Sequence, residues 1–125
     1  MSDADGFHFR SRPEDEYYFE EGCFILEYLN DPADPHASIA RARVPPGVAT
    51  RRHRLPGTTE RYFILSGEGR VTLGEQPAFR VRPGDTVLIP PGTAQSISND
   101  AADDLVFLAI CTPRFRPEDY RDDPA

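Results

Sequence analysis

Thirteen prolines and nine glycines divide the 125 residues so finely that the longest interval free of both is Thr93–Thr112. Even that interval holds the turn-like run NDAADD at residues 99–104. Proline lacks the amide proton that a helix interior needs, and glycine loses the most backbone freedom on ordering, so long helices are excluded. The pieces between the breaks read as strands. Residues 23–29, 38–44, 61–66, 69–73, 85–90, 94–99 and 104–111 are short, apolar or β-branched, and several alternate. Turn clusters such as NDPADP, LPG, SGEG, RPGD and PPG separate them. Short strands at close spacing predict an all-β sandwich or barrel with few or no helices. Residues 14–21, EDEYYFEE, follow Pro13 and suit either a helical turn or an edge strand.

A chain of this length holds one domain with one core. The expected organisation is an acidic N-terminal arm at 1–22, a barrel at 23–112, and a tail at 113–125 that packs Phe115 and Tyr120 on the outside of the barrel. The arm carries seven acids against two arginines and reads as a solvated face. The net charge of −7 argues against non-specific nucleic-acid binding, which requires neutralised phosphates. No apolar run has the roughly 18 residues of a membrane-spanning helix. The acidic N-terminus lacks the apolar region of a signal peptide. A cytoplasmic location is therefore the expectation, with no membrane or nucleic-acid partner. Every basic residue is arginine, which removes lysine Schiff-base chemistry. Cys23 and Cys111 form no CxxC pair and are expected to be reduced, with Cys23 a small buried hydrophobe.

Residues two apart on a strand share a face. His53 and Leu55 point the same way; so do Glu60, Tyr62 and Ile64, and later Gln95, Ile97 and Asn99. If that face lines a barrel interior, an imidazole, a carboxylate, a phenol and an amide converge in an apolar cavity, the usual shape of a small-molecule site. Arg41 and Arg43 share a face of SIARARV. Turned inward they would clamp a carboxylate or phosphate; turned outward, the commoner pattern, they leave the alanines facing in. Arg51, Arg52 and Arg54 flank His53 as a charged rim loop that would also draw in an anion. Cys111 sits by the pocket if Phe107 and Ala109 face inward, with nothing nearby to activate its thiol.

The spacings Gly47-x5-His53-x-Leu55-x4-Glu60-x6-Gly67 and Gly84-x5-Pro90-Pro91-Gly92-x2-Gln95-x3-Asn99 resemble the two motifs of the cupins. Both motifs and the short linker between them match a small single-domain member. The resemblance implies a jelly-roll β-barrel, or double-stranded β-helix, extending over roughly residues 23–111. It also implies a metal site from two histidines and a glutamate in the first motif and a histidine in the second. Here His53 and Glu60 stand at two of those positions, while Leu55 and Gln95 replace the other two.

Three readings follow. In the first, His53 moves the proton, Glu60 is its partner or a second acid/base, Tyr62 donates to a developing oxyanion, and Gln95, Arg41, Arg43 and Cys111 contact substrate. An isomerase, lyase/dehydratase or cyclase acting on a small carbonyl or hydroxylated molecule would use such groups. In the second, His53, Glu60 and Gln95 ligate one divalent transition metal (zinc, iron, manganese or nickel) in a dioxygenase or isomerase, with Leu55 leaving the site incomplete. In the third, the barrel binds or senses a small molecule without turnover. A homodimer is expected, since Phe63 and Leu65 face outward and compact cupins commonly pair.

Overall fold

A computed structural model describes residues 3–123. Its elements are β1 (Asp3–Asp5), β2 (His8–Arg10), β3 (Tyr17–Phe19), β4 (Cys23–Leu29), β5 (Ser38–Val44), β6 (His53–Arg54) and β7 (Thr59–Ser66). There follow β8 (Gly69–Leu73), β9 (Phe79–Val81), β10 (Thr86–Ile89), β11 (Gln95–Ser98), β12 (Leu105–Thr112) and β13 (Arg121–Asp122). The only helical elements among the described residues are two short 3-10 turns, Pro13–Asp15 and Pro117–Asp119, each led by a proline that pre-sets the first turn. Segment 14–21 thus takes both forms expected of it: a helical turn, then the edge strand β3. No helix is long and apolar enough to cross a membrane.

Apart from the β1–β2 hairpin, the strands form two antiparallel sheets. One has the order β10-β7-β12-β5-β4-β3, the other β13-β6-β11-β8-β9. The two close face to face as a jelly-roll barrel. Alternation decides what enters. On β7, Glu60, Tyr62 and Ile64 are buried while Phe63 and Leu65 are exposed; on β12, Leu105, Phe107 and Cys111 are buried. One end of the barrel is filled by Val44, Ile64, Val71, Ile97 and Leu105, with buried Asn99 donating to the Val44 carbonyl. Gly67 at the β7–β8 turn has φ +80 and lies tightly against the Asp104 carbonyl, so no side chain fits there.

Register brings the polar residues together at the other end. Cys111 lies opposite Glu60 on one side and Ser38 on the other; Gln95 lies opposite His53; His53 lies opposite Asp122. Five strands escaped the sequence pattern: β1, β2, β6, β9 and β13, each two or three residues long. None is long enough to show a period.

Candidate functional site

Glu60 enters the barrel from β7 because Tyr62 and Ile64 share its face. Its side chain is 7% exposed, and its Oε1 has no hydrogen-bond partner. The Gln95 side chain and the Cys111 thiol hydrogen-bond the carboxyl, yet burial dominates and holds its pKa at about 7. Tyr62 donates its hydroxyl proton to Gln95 Oε1. That bond corrects the expected oxyanion role of Tyr62: its one proton is committed, and its oxygen has only lone pairs left to offer.

Glu21 stands beside Glu60 in the cavity wall. It lies in the turn between β3 and β4, where Gly22, with φ +113, passes 3.3 Å from the Ala49 carbonyl if given a Cβ. The close pass lets the Arg51 amide donate to the Glu21 carbonyl at 2.6 Å and turns the side chain inward. Its Oε2 accepts from Cys23 Sγ at 3.4 Å, and its Oε1 lies 3.6 Å from His53 Nε2. Burial, then the neighbouring Glu60 charge, pushes its pKa to about 8. The acidic arm is therefore not a solvated face throughout. Glu21 closes the site, and Glu16 pairs with Arg41 at 3.2 Å and Arg43 at 2.8 Å. One signal in the sequence bears on Glu21: it lies two residues before Cys23, on the face that Cys23 and Ile25 bury.

His53 is 3% exposed and does not line the cavity. Its Nδ1–H donates to the Arg51 carbonyl at 2.9 Å, which leaves Nε2 bare and facing Glu21. Tyr120 stacks on its ring at 4.8 Å between centroids, 16° from parallel. Burial lowers its pKa, so the imidazole is neutral. Gln95 likewise reaches the cavity only through Tyr62 and Glu60.

Arg41 and Arg43 lie on the outer face, held by Glu16, with Arg43 over the Phe24 ring at 4.3 Å; Ala40 and Ala42 line the cavity instead. Their expected place as substrate contacts is corrected by this orientation. The rim arginines hold the tail: Arg51 pairs with Asp122 at 2.8 Å, Arg54 with Asp123 at 2.9 Å and Arg52 with Asp123 at 3.3 Å. Cys111 does line the cavity, with burial pushing its thiol pKa up. Phe115 of the tail does not pack outside the barrel. Phe115 is in the cavity wall, and Phe19 meets Phe115 and Tyr120 edge to face at 6.2 and 5.4 Å.

The cavity encloses about 60 Å³. Its wall combines Glu21, Glu60 and Tyr62 with the rings of Phe19, Phe107 and Phe115. A metal does not fit these donors. His53 Nε2 faces Glu21, Gln95 Oε1 is engaged by Tyr62, Leu55 supplies no donor, and among the described residues no three His, Cys, Asp or Glu side chains are arranged to hold a metal ion. What the wall offers is a pair of carboxyls whose protons are held unusually tightly, with an imidazole behind one of them.

Solved structures share this architecture. Pac13, described as a unique nucleoside dehydratase, superposes with a TM-score of 0.75 at 20% identity, over 93% of this chain and 91% of that one. Bacillus subtilis oxalate decarboxylase, known for its Mn(II) centres, gives 0.74 at 22% identity, over 87% of this chain and 30% of that one. In sequence, the uncharacterized protein MJ1618 of Methanocaldococcus jannaschii is 36% identical over 105 residues, 82% of this chain and 83% of that one. The family model described as "Cupin domain" matches residues 40–111.

Proposed function

The chain belongs to the cupin family, and from that premise we propose that it acts on a small organic molecule by acid/base chemistry, with Glu21 and Glu60 as the proton-carrying groups. The observation that carries this reading is the placement of Glu21 between the cavity and His53 Nε2, 3.6 Å away. Both carboxyls are raised by burial, and Glu21 also by the Glu60 charge, so when Glu60 is ionised Glu21 keeps its proton; one holds a proton while the other accepts one. That division suits an isomerase, a lyase/dehydratase or a cyclase, in which one group takes a proton from carbon or oxygen and another returns it. His53, neutral and fixed by Arg51 and Tyr120, is a positioning group whose bare nitrogen takes up or returns the Glu21 proton. Tyr62 presents an acceptor oxygen to a ligand hydroxyl.

The test is solvent-deuterium incorporation or loss of water, followed by NMR, across a panel of small carbonyl and β-hydroxy compounds. Conversion by the native chain that vanishes in Glu21→Gln, with the fold retained, is expected; conversion undiminished in Glu21→Gln sinks the reading. A ligand that binds and is never converted favours the sensing barrel. The metal-dependent alternative is tested by elemental analysis of protein purified without added metal, where well under one equivalent per chain is expected. One equivalent, lost in His53→Ala, would restore that alternative.

A further inference from the structure

Three acids, Glu21, Glu27 and Glu60, line the cavity, and among the described residues no arginine or histidine does. Glu27 is held by Asn30 Nδ2 at 2.7 Å, and Glu21 accepts from Cys23. Glu60 alone presents a buried oxygen, Oε1, without a partner. A buried acceptor left unpaired bears the full cost of its lost hydration, more if charged. A ligand that brings a donor to Oε1 removes that cost. A ligand that also brings positive charge relieves the repulsion between Glu60 and Glu21. An anion would add a further negative charge where nothing offsets it.

The rest of the wall points the same way. Tyr17, Phe19, Tyr62, Phe107 and Phe115 present ring faces or edges around the acids. Aromatic faces with carboxylates are the surroundings that a desolvated organic cation requires. The volume of about 60 Å³ holds on the order of five water-sized groups, enough for an ammonium head with three or four carbons. Tyr17, Phe19, Glu27, Asn30 and Phe115 also border an outer groove of about 390 Å³, so a longer ligand has somewhere to extend. The arginines of that groove are engaged, Arg114 with Asn30 and Arg116 with Asp119.

We infer that the cavity takes a small protonated amine, its N–H donating to Glu60 Oε1 and its carbon chain lying among the rings of Phe19, Phe107 and Phe115. This rests on the acid/base reading above and deepens it. With an amine bound, Glu60 is the ionised member of the pair and anchors the ammonium group, and Glu21, backed by His53, is the member that holds the proton.

Calorimetric titration of the native chain with n-butylammonium, n-butanol and butyrate tests the charge class without needing any variant to fold. The ammonium is expected to bind about tenfold tighter than the alcohol or better, as a charge-assisted bond exceeds a neutral one, and butyrate not at all. Alcohol binding as tight as the amine, or tighter binding of butyrate, overturns the inference. Glu60→Gln, close in shape to the native side chain, is expected to lose about tenfold in n-butylammonium affinity; unchanged affinity overturns it too. The two proposals fail separately. If n-butylammonium does not bind while Glu21→Gln abolishes conversion, the charge class falls and the acid/base reading stands. If n-butylammonium binds through Glu60 while Glu21→Gln leaves conversion intact, the reverse holds.

Discussion

Glu21 and Glu60 make their burial measurable through pH. Their pKa values rise from 4.5 to about 8 and about 7, so the folded chain binds these protons more tightly than the unfolded one. Their contribution to stability is complete below the unfolded value and is lost as pH rises through 7 and 8. His53 acts with the opposite sign: its pKa is lowered from 6.5, so its contribution grows up to that value and is constant above it. The melting temperature should therefore fall between about pH 4.5 and 8, unopposed by His53 above 6.5, and should fall less in Glu60→Gln, which has no proton to lose. A flat native profile would show that the two carboxyls titrate as they do in water. The same scale shows what the sequence concealed. That His53, Glu60 and Gln95 turn inward was legible from strand parity and glycine spacing, because both follow from backbone geometry, though only Glu60 lines the cavity. Glu21 was not, because its inward turn depends on Gly22 passing against Ala49, a contact between segments remote in sequence.

At the scale of elements, the closing pieces are β3, β13 and the loop around Phe115. Asn30 ties that loop to the end of β4: Nδ2 donates to the Phe115 carbonyl at 3.0 Å, and Oδ1 accepts from Arg114 at 2.8 Å. Asn30→Ala should cost about 1–3 kcal/mol by leaving partners unpaired, and should loosen the mouth before it unfolds the barrel. Faster trapping of the Cys111 thiol by a disulfide reagent, with the melting temperature lowered only modestly, would report this. Trapping at the native rate would show that the loop holds without Asn30. The β7–β8 hairpin makes a different demand. Gly67→Ala puts a methyl group against the Asp104 carbonyl at a positive φ, and should destabilise the fold by more than about 2 kcal/mol in chemical denaturation. The seven longer strands were readable because each spans at least two full alternations. The two- and three-residue strands other than β3 were not, since pairing with a neighbour defines them and composition does not.

For the whole molecule, the outer face of the larger sheet bears on assembly. Phe63, Leu65 and Leu88 are 37%, 42% and 60% exposed, and β10 is an edge strand with unpaired backbone groups on one side. We propose that a second copy covers this face about a twofold axis, each β10 facing the other. Sedimentation should give twice the chain mass for the native protein and a monomer for the double variant Phe63→Glu, Leu88→Glu; a native monomer would end the proposal. The site itself draws on both flanks of the sequence. Phe19 from the early part of the chain meets Phe115 and Tyr120 from the late part, and β13 pairs with His53 itself. Strands β4 to β12 supply most of both sheets, and β3 and β13 complete them. Shortening the chain after Thr112 would keep Glu21, Glu60 and Tyr62 yet remove Phe115 from the cavity wall and Tyr120 from the face of His53.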